Sequence, residues 1–285
     1  MRWIGTLVLL AACGSDGPTT IDGGGGDAPI DGPPSAACGG PNGPTGALAE
    51  SITVGGIART YVRFVPAGYD SSRAYPLIFA WHGRGGKGSN ARLYFGIEDA
   101  SAGEAIIVYP DGLPVSEDPT DTGWVLEASG RDVALFDALQ AKIAASYCIG
   151  RTYSMGHSFG GYMTNALGCH RGGTAPLAVR AIAPFAGGGP FGPCIGNTPS
   201  AIVMHGTQDM VVLYEQGVAS RDTWLTMAGC ELTAQPIEPA PCVAYDGCDS
   251  GLAVRFCAHD DAANQGHSWQ PFAAPAAWAL FQASP

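Results

Sequence analysis

The sequence predicts a single α/β domain, a mostly parallel sheet flanked by helices on both faces, preceded by a disordered N-terminal tether. Three observations point there. Short continuous apolar runs, such as residues 75–81 and 105–109, have the length and composition of strands buried on both faces. Between such runs, apolar residues recur at helical spacing, as Val133, Phe136, Leu139 and Ile143 do, and strands alternating with helices build a parallel sheet covered on both sides. The 285 residues, 46% of them hydrophobic, supply one sizeable core.

Taken in order, residues 1–13 read as an export signal. Arg2 gives the positive start, residues 4–10 form a short apolar run, and the small Ala11 and Ala12 precede Cys13. The run is too short to span a bilayer. Leu10-Ala11-Ala12-Cys13 resembles the bacterial lipobox, which implies cleavage and lipidation at Cys13, a lipid-anchored or secreted location, and membrane contact only through that lipid. Residues 14–46 are Gly, Pro, Asp, Ser and Thr in the main, too polar to offset their ordering entropy, and form a flexible linker. The folded domain is expected over residues 47–285.

Within it, residues 51–54 and 59–65 read as strands around a Gly55-Gly56 turn. Strands at 75–81 and 105–109 follow, then a helix through Val133 to Ile143, for which Ser129 and Asp132 form a capping-box-like start. A strand at 152–155 leads through a glycine-flanked turn into a helix at 162–167. Strands at 178–184 and 201–204, a helix at 222–227, a strand at 252–256 and a helix at 274–282 complete the pattern.

Charge narrows the function. There are 25 acidic against 14 basic residues, and the only lysines are Lys87 and Lys142. No basic cluster is available to neutralise a run of phosphates, so a nucleic-acid partner is not expected. The nine cysteines suit export. With Cys13 carrying lipid, eight remain for disulfides in an oxidising compartment. From spacing, Cys242 and Cys257 face each other across a hairpin turning near Asp249-Ser250. A zinc site from Cys242, Cys248, Cys257 and His259 lacks the paired short spacings of a metal centre, so neither metal nor cofactor is expected.

Gly156-His157-Ser158-Phe159-Gly160 is a G-x-S-x-G pattern with a strand before it and a helical stretch after it. That context makes Ser158 a nucleophile on a sharp strand-to-helix turn. A serine hydroxyl needs a base, and the base a carboxylate to hold its tautomer. Asp209, in His205-Gly206-Thr207-Gln208-Asp209, lies on a loop directly after a buried strand; Asp222, Asp246 and Asp249 do so less directly. His259 and His267 both follow the last strand, and His267 is better displayed, just before the final helix. Trp81-His82-Gly83-Arg84-Gly85-Gly86 reads as an oxyanion loop. The backbone N–H of Arg84, with Gly85 as alternative, joins that of Phe159 as donor. His82, His157 and His205 belong to motif turns and orient loops; His157 and Trp124 are also placed at the substrate pocket, where Trp124 is an aromatic wall or simply core.

The motifs together resemble the feruloyl esterase and polyhydroxybutyrate-depolymerase-like esterases of carbohydrate esterase family 1, in the α/β-hydrolase superfamily. The resemblance rests on Tyr75 to Phe79 running into His82-Gly83, Tyr109-Pro110-Asp111-Gly112, Gly123-Trp124, Asp132-Val133-Ala134, Tyr147-Cys148, Gly156 to Gly161, His205 to Asp209 and Gly266-His267. It implies Ser158, Asp209 and His267 as a triad, and hydrolysis of hydroxycinnamoyl esters of plant polysaccharides through an acyl-enzyme. Hydroxyalkanoate oligomers, acetylated xylan and a catalytically silent binding lipoprotein are the alternatives. It also implies disulfides Cys148–Cys169, Cys230–Cys248 and Cys38–Cys194. The sequence shows no polymer-binding module after the final helix, so short oligomers are the expected ester substrates.

Overall fold

A computed structural model describes residues 35–284. The signal, Cys13 and most of the linker lie outside the described residues. The linker boundary moves, however. Residues 35–46 pack on the domain: Ser35 donates to the Tyr147 carbonyl at 2.7 Å, its own hydroxyl accepts from the Ile149 N–H, and Cys38 is disulfide-bonded to Cys148. Two backbone anchors and a covalent bond outweigh the polar composition that predicted freedom here.

Among the described residues the chain forms a ten-stranded sheet. Its parallel centre is β4 (Ile106–Pro110), β3 (Tyr75–Trp81), β7 (Ile149–His157), β8 (Val179–Phe185), β9 (Ser200–Gly206) and β12 (Val254–His259), in that spatial order. Antiparallel strands extend both sides: β1 (Gly46–Val54) and β2 (Ile57–Val65) beyond β4, and β11 (Cys242–Tyr245) and β10 (Ala234–Pro236) beyond β12. Most residues of the central strands are buried and apolar because helices cover both faces. On one face lie α3 (Arg131–Ser146), α4 (Phe159–Arg171) and α5 (Tyr214–Met227), burying Phe136, Leu139, Met163, Leu167 and Trp224 in one cluster with Leu77, Phe79, Ile182 and Val203. On the other, α1 (Gly88–Phe95), α2 (Ile97–Ala100) and α6 (Ala273–Ala283) bury Phe95, Ile97, Leu280 and Phe281 against Ile78 and Ala80. A small antiparallel pair, β5 (Leu113–Pro114) with β6 (Thr122–Gly123), stands apart.

Helix α3 starts without the expected capping box. Its N-cap is Gly130, with no side-chain cap. Asp132 instead turns inward, where its carboxylate accepts from Arg59 at 2.6 Å and from the Val125 N–H at 2.8 Å. Both members of the Asp132–Arg59 pair are buried, and an ionised carboxylate that is out of water is held by its charge partner rather than spent on a cap.

The disulfides are Cys38–Cys148, Cys169–Cys194, Cys230–Cys248 and Cys242–Cys257. The last two pairings match expectation, and Cys242 stands directly across from Cys257 in the β11–β12 register. Cys148–Cys169 and Cys38–Cys194 are corrected. The loop after β8 returns to the end of α4, where the N–H groups of Ile195 and Gly196 both donate to the Cys169 carbonyl, so Cys194 reaches Cys169 and leaves Cys148 to the N-terminal segment. With these sulfurs bonded to each other, the thiolates that a zinc site would need are consumed.

Candidate active site

Ser158 sits between the last residue of β7 and the first of α4, at φ 56° and ψ −120°. That left-handed backbone is strained for a residue with a side chain, and tight packing holds it. A Cβ on Gly160 would land on the Trp81 carbonyl, and one on Gly156 would strike the backbone of Gly160. The glycines therefore let the elbow close onto β3. The Ser158 N–H is tied to the Phe185 carbonyl at 2.9 Å, and the Ser158 carbonyl accepts from Gly161 and Tyr162, opening α4. The Phe159 N–H lies at the first turn of that helix, where unpaired amides favour negative charge.

Asp209 follows β9 and is buried. One carboxylate oxygen accepts from the N–H groups of Val211 and Val212 at 2.9 Å each. The other accepts from His267 Nδ1 at 2.6 Å. With Nδ1 carrying the proton, Nε2 of His267 is the basic nitrogen; it is buried and makes no hydrogen bond among the described residues. His267, Ser158 and His157 border one cavity of about 660 Å³. The rival groups lie apart. Asp222 is on α5 beside Arg221, Asp246 and Asp249 flank Cys248, and His259 is stacked on Phe185 with neither ring nitrogen hydrogen-bonded.

The loop after β3 is fastened from several sides. His82 Nδ1–H donates to the Gly83 carbonyl at 2.7 Å and Nε2 accepts from the Gly112 N–H at 2.8 Å. Burial lowers the pKa of His82, in keeping with the neutral ring this pattern requires. The Trp124 indole donates to the His82 carbonyl at 2.9 Å, and Thr122 donates to that of Gly86. Trp124 is only 2% exposed, so its main contact is with this loop and its role as a pocket wall is reduced to an edge. The Gly85 N–H is occupied by the Thr122 carbonyl at 2.8 Å. The Arg84 guanidinium grips Asp121 with two bonds, and Arg84 borders a cavity with Ser158 and Phe159.

His205 also touches the acid, with Nε2 donating to the Val212 carbonyl at 2.8 Å and lying 3.4 Å from Asp209 Oδ2. His157 turns Nε2 to the His267 carbonyl at 2.9 Å, so it too holds a loop. Sequence reasoning missed Arg59, which links Asp132 to the Asp111 carbonyl. It also used Tyr109 to Gly112 and Gly123 only as motifs of the resemblance, without a task, and passed over Thr122.

Cavities open on both sides of Ser158. One, about 400 Å³, is apolar and bordered by Leu126, Phe159, Tyr162, Phe191, Val211 and Val212, and it continues into a cleft of about 770 Å³. Tyr162 and Phe191 stack there, 5.9 Å between centroids. The other side carries Lys87, Asn90, Asn264 and Ser268 beside Tyr94 and Trp269.

A parallel sheet with a serine elbow at the carboxyl edge of a central strand defines an α/β-hydrolase. Solved structures agree on the fold. A carbohydrate esterase family 1 ferulic acid esterase from Anaeromyces mucronatus is similar with a TM-score of 0.53 at 18% identity, over 87% of this chain and 93% of that one. An acetyl xylan esterase from Aspergillus awamori gives 0.56 at 14% identity, over 74% and 92%. No protein-family profile matches the chain. Curated relatives are closer: feruloyl esterase C of Emericella nidulans is 32% identical over 244 residues, 79% of this chain and 84% of that protein. A probable feruloyl esterase C of Aspergillus oryzae is 31% identical over 241 residues, with the same coverage. The chain belongs to the feruloyl esterase C family and is a carboxylic ester hydrolase.

Proposed function

We propose that the chain hydrolyses hydroxycinnamoyl esters of plant polysaccharides, with Ser158, His267 and Asp209 as its triad. The observation that carries this reading is the His267–Asp209 hydrogen bond, which leaves a basic Nε2 in the cavity that bears Ser158. Ser158 Oγ attacks the ester carbonyl and its proton passes to His267 Nε2; Asp209 stabilises the imidazolium through Nδ1–H. The oxyanion rests on the backbone N–H groups of Arg84 and Phe159. His267 then protonates the leaving sugar oxygen, activates water, and the acyl-enzyme releases the acid.

The two arms of the cleft favour this substrate. Stacked Tyr162 and Phe191, with Leu126 and Phe159, suit a planar aromatic acyl group, whereas the Lys87, Asn90 and Ser268 side suits a hydroxylated alcohol. Methyl ferulate and feruloylated oligosaccharides are expected to turn over faster than hydroxybutyrate oligomers or acetylated xylan. A folded Ser158→Ala variant is expected to lose roughly three to six orders of magnitude in kcat. A preference for hydroxybutyrate would overturn the substrate, and retained turnover in the alanine variant would overturn the nucleophile.

The four disulfides favour work outside the cytoplasm, and the lipobox-like Leu10-Ala11-Ala12-Cys13 favours a tether through lipid on Cys13. Labelled palmitate should be incorporated into the full chain and not into Cys13→Ser; equal incorporation would remove the anchor.

A further inference from the structure

We propose that His157 is a positioning residue that clamps the His267 loop to the nucleophile elbow through its Nε2–H. The inference rests on the reading of Ser158 and His267 as nucleophile and base. The segment that delivers His267 has an unfavourable backbone: Asn264, Gln265 and Gly266 lie consecutively at φ 49°, 60° and 77°. Residues with side chains keep such angles only where surrounding contacts fix them. On one side, the Met210 N–H donates to the Gln265 carbonyl at 2.9 Å, tying the loop to the acid loop. On the other side stands His157, whose ring donates to the His267 carbonyl at 2.9 Å.

His157 is the residue before the nucleophile, so this hydrogen bond ties the side chain next to Ser158 to the base's own backbone. Its ring is enclosed by Tyr94, Phe185 and Trp269, with centroids 6.0, 5.6 and 6.0 Å away, and cannot swing to another acceptor without disturbing them. It also lies 5.0 Å from the His267 ring. Burial, the dominant cause, and the neighbouring His267 push its pKa down to about 4. At neutral pH the ring is therefore uncharged and has one N–H, which the carbonyl claims. A neutral donor matters, because a cation here would oppose the imidazolium that His267 becomes during turnover.

Two variants of similar size separate clamping from packing. His157→Gln keeps an N–H near the Nε2 position; His157→Met fills the space without a donor. The methionine variant is expected to lose about ten- to a hundredfold in kcat for methyl ferulate with KM little changed, since the misplaced base acts only in the transition state. Glutamine should recover most of that loss. Fluorophosphonate labelling of Ser158 should slow in the same proportion. Full activity in the methionine variant, or an equal loss in both, overturns the clamp. Failure of the wild-type protein to label at Ser158 is a different failure, of the nucleophile assignment. Should the methionine variant not fold, nitrogen-15 spectra of the wild-type histidines decide: His157 protonated at Nε2 supports the clamp, and protonation at Nδ1 alone overturns it.

Discussion

At the carboxyl edge of the parallel strands, Ser158, Asp209 and His267 are held by hydrogen bonds and by backbone that meets backbone across glycine. At the amino edge, Cys148 precedes β7, Cys169 closes α4, and Cys230 and Cys248 lie between α5 and β12, each in a disulfide. Three of the four disulfides thus lie at the amino edge, while Cys242–Cys257 joins β11 to β12 within the sheet. Covalent cross-links restrict the unfolded chain and add stability wherever they sit. Reaction geometry needs tolerances that only short hydrogen bonds and close contacts supply.

The comparison breaks most severely if the carboxyl edge tolerates loss of a hydrogen-bond acceptor. Asp209→Asn should lower kcat by roughly four orders of magnitude, because the amide cannot hold His267 in the Nδ1–H tautomer, with the melting temperature nearly unchanged. A loss under about tenfold would dismiss Asp209 as the acid. At the amino edge the expectation reverses. Replacing Cys38 and Cys148 together by serine opens a link spanning 110 residues and should cost about 2–5 kcal/mol in denaturant unfolding. Its kcat at 25 °C should match the wild type; a large fall in kcat would join what the comparison separates.

Trp124→Phe sharpens the picture at smaller amplitude. Losing the bond to the His82 carbonyl loosens the oxyanion loop, so kcat should fall by about tenfold, less than the loss of a donor itself. An unchanged kcat would make Trp124 core alone.

The smallest effect is acid sensitivity. Burial lowers the pKa of His82, His157, His205 and His259, all at carboxyl ends of parallel strands, with His157 pushed from an ordinary 6.5 down to about 4. Between those values the unfolded chain takes up protons that the folded one refuses. Stability is therefore complete above about pH 6.5 and declines as pH falls toward 4. Melting temperatures across that range should drop with acidification; a rise would contradict the burial of these rings.

Much of this was legible in sequence. Six parallel strands and the chain order Ser, Asp, His follow from apolar runs and from the turns that end them. What escaped has identifiable physical causes. The first half of α5 carries no apolar stripe, because Gly217 packs directly on the His205 ring. Helices α1 and α2 fill the path from the oxyanion loop to β4, where glycine at 85, 86, 88 and 96 hides helical periodicity. The capping box failed because Asp132 answers to Arg59, distant in sequence.

By itself the sequence determined the sheet and the elbow and named candidates for nucleophile, acid and base, since each rests on local pattern and on the order of motifs. Only tertiary structure decided how Cys38, Cys148, Cys169 and Cys194 pair, that the Gly85 N–H is occupied, and that His157 reaches the His267 carbonyl. Those outcomes depend on which atoms of residues distant in sequence come close to one another, a quantity no local pattern encodes.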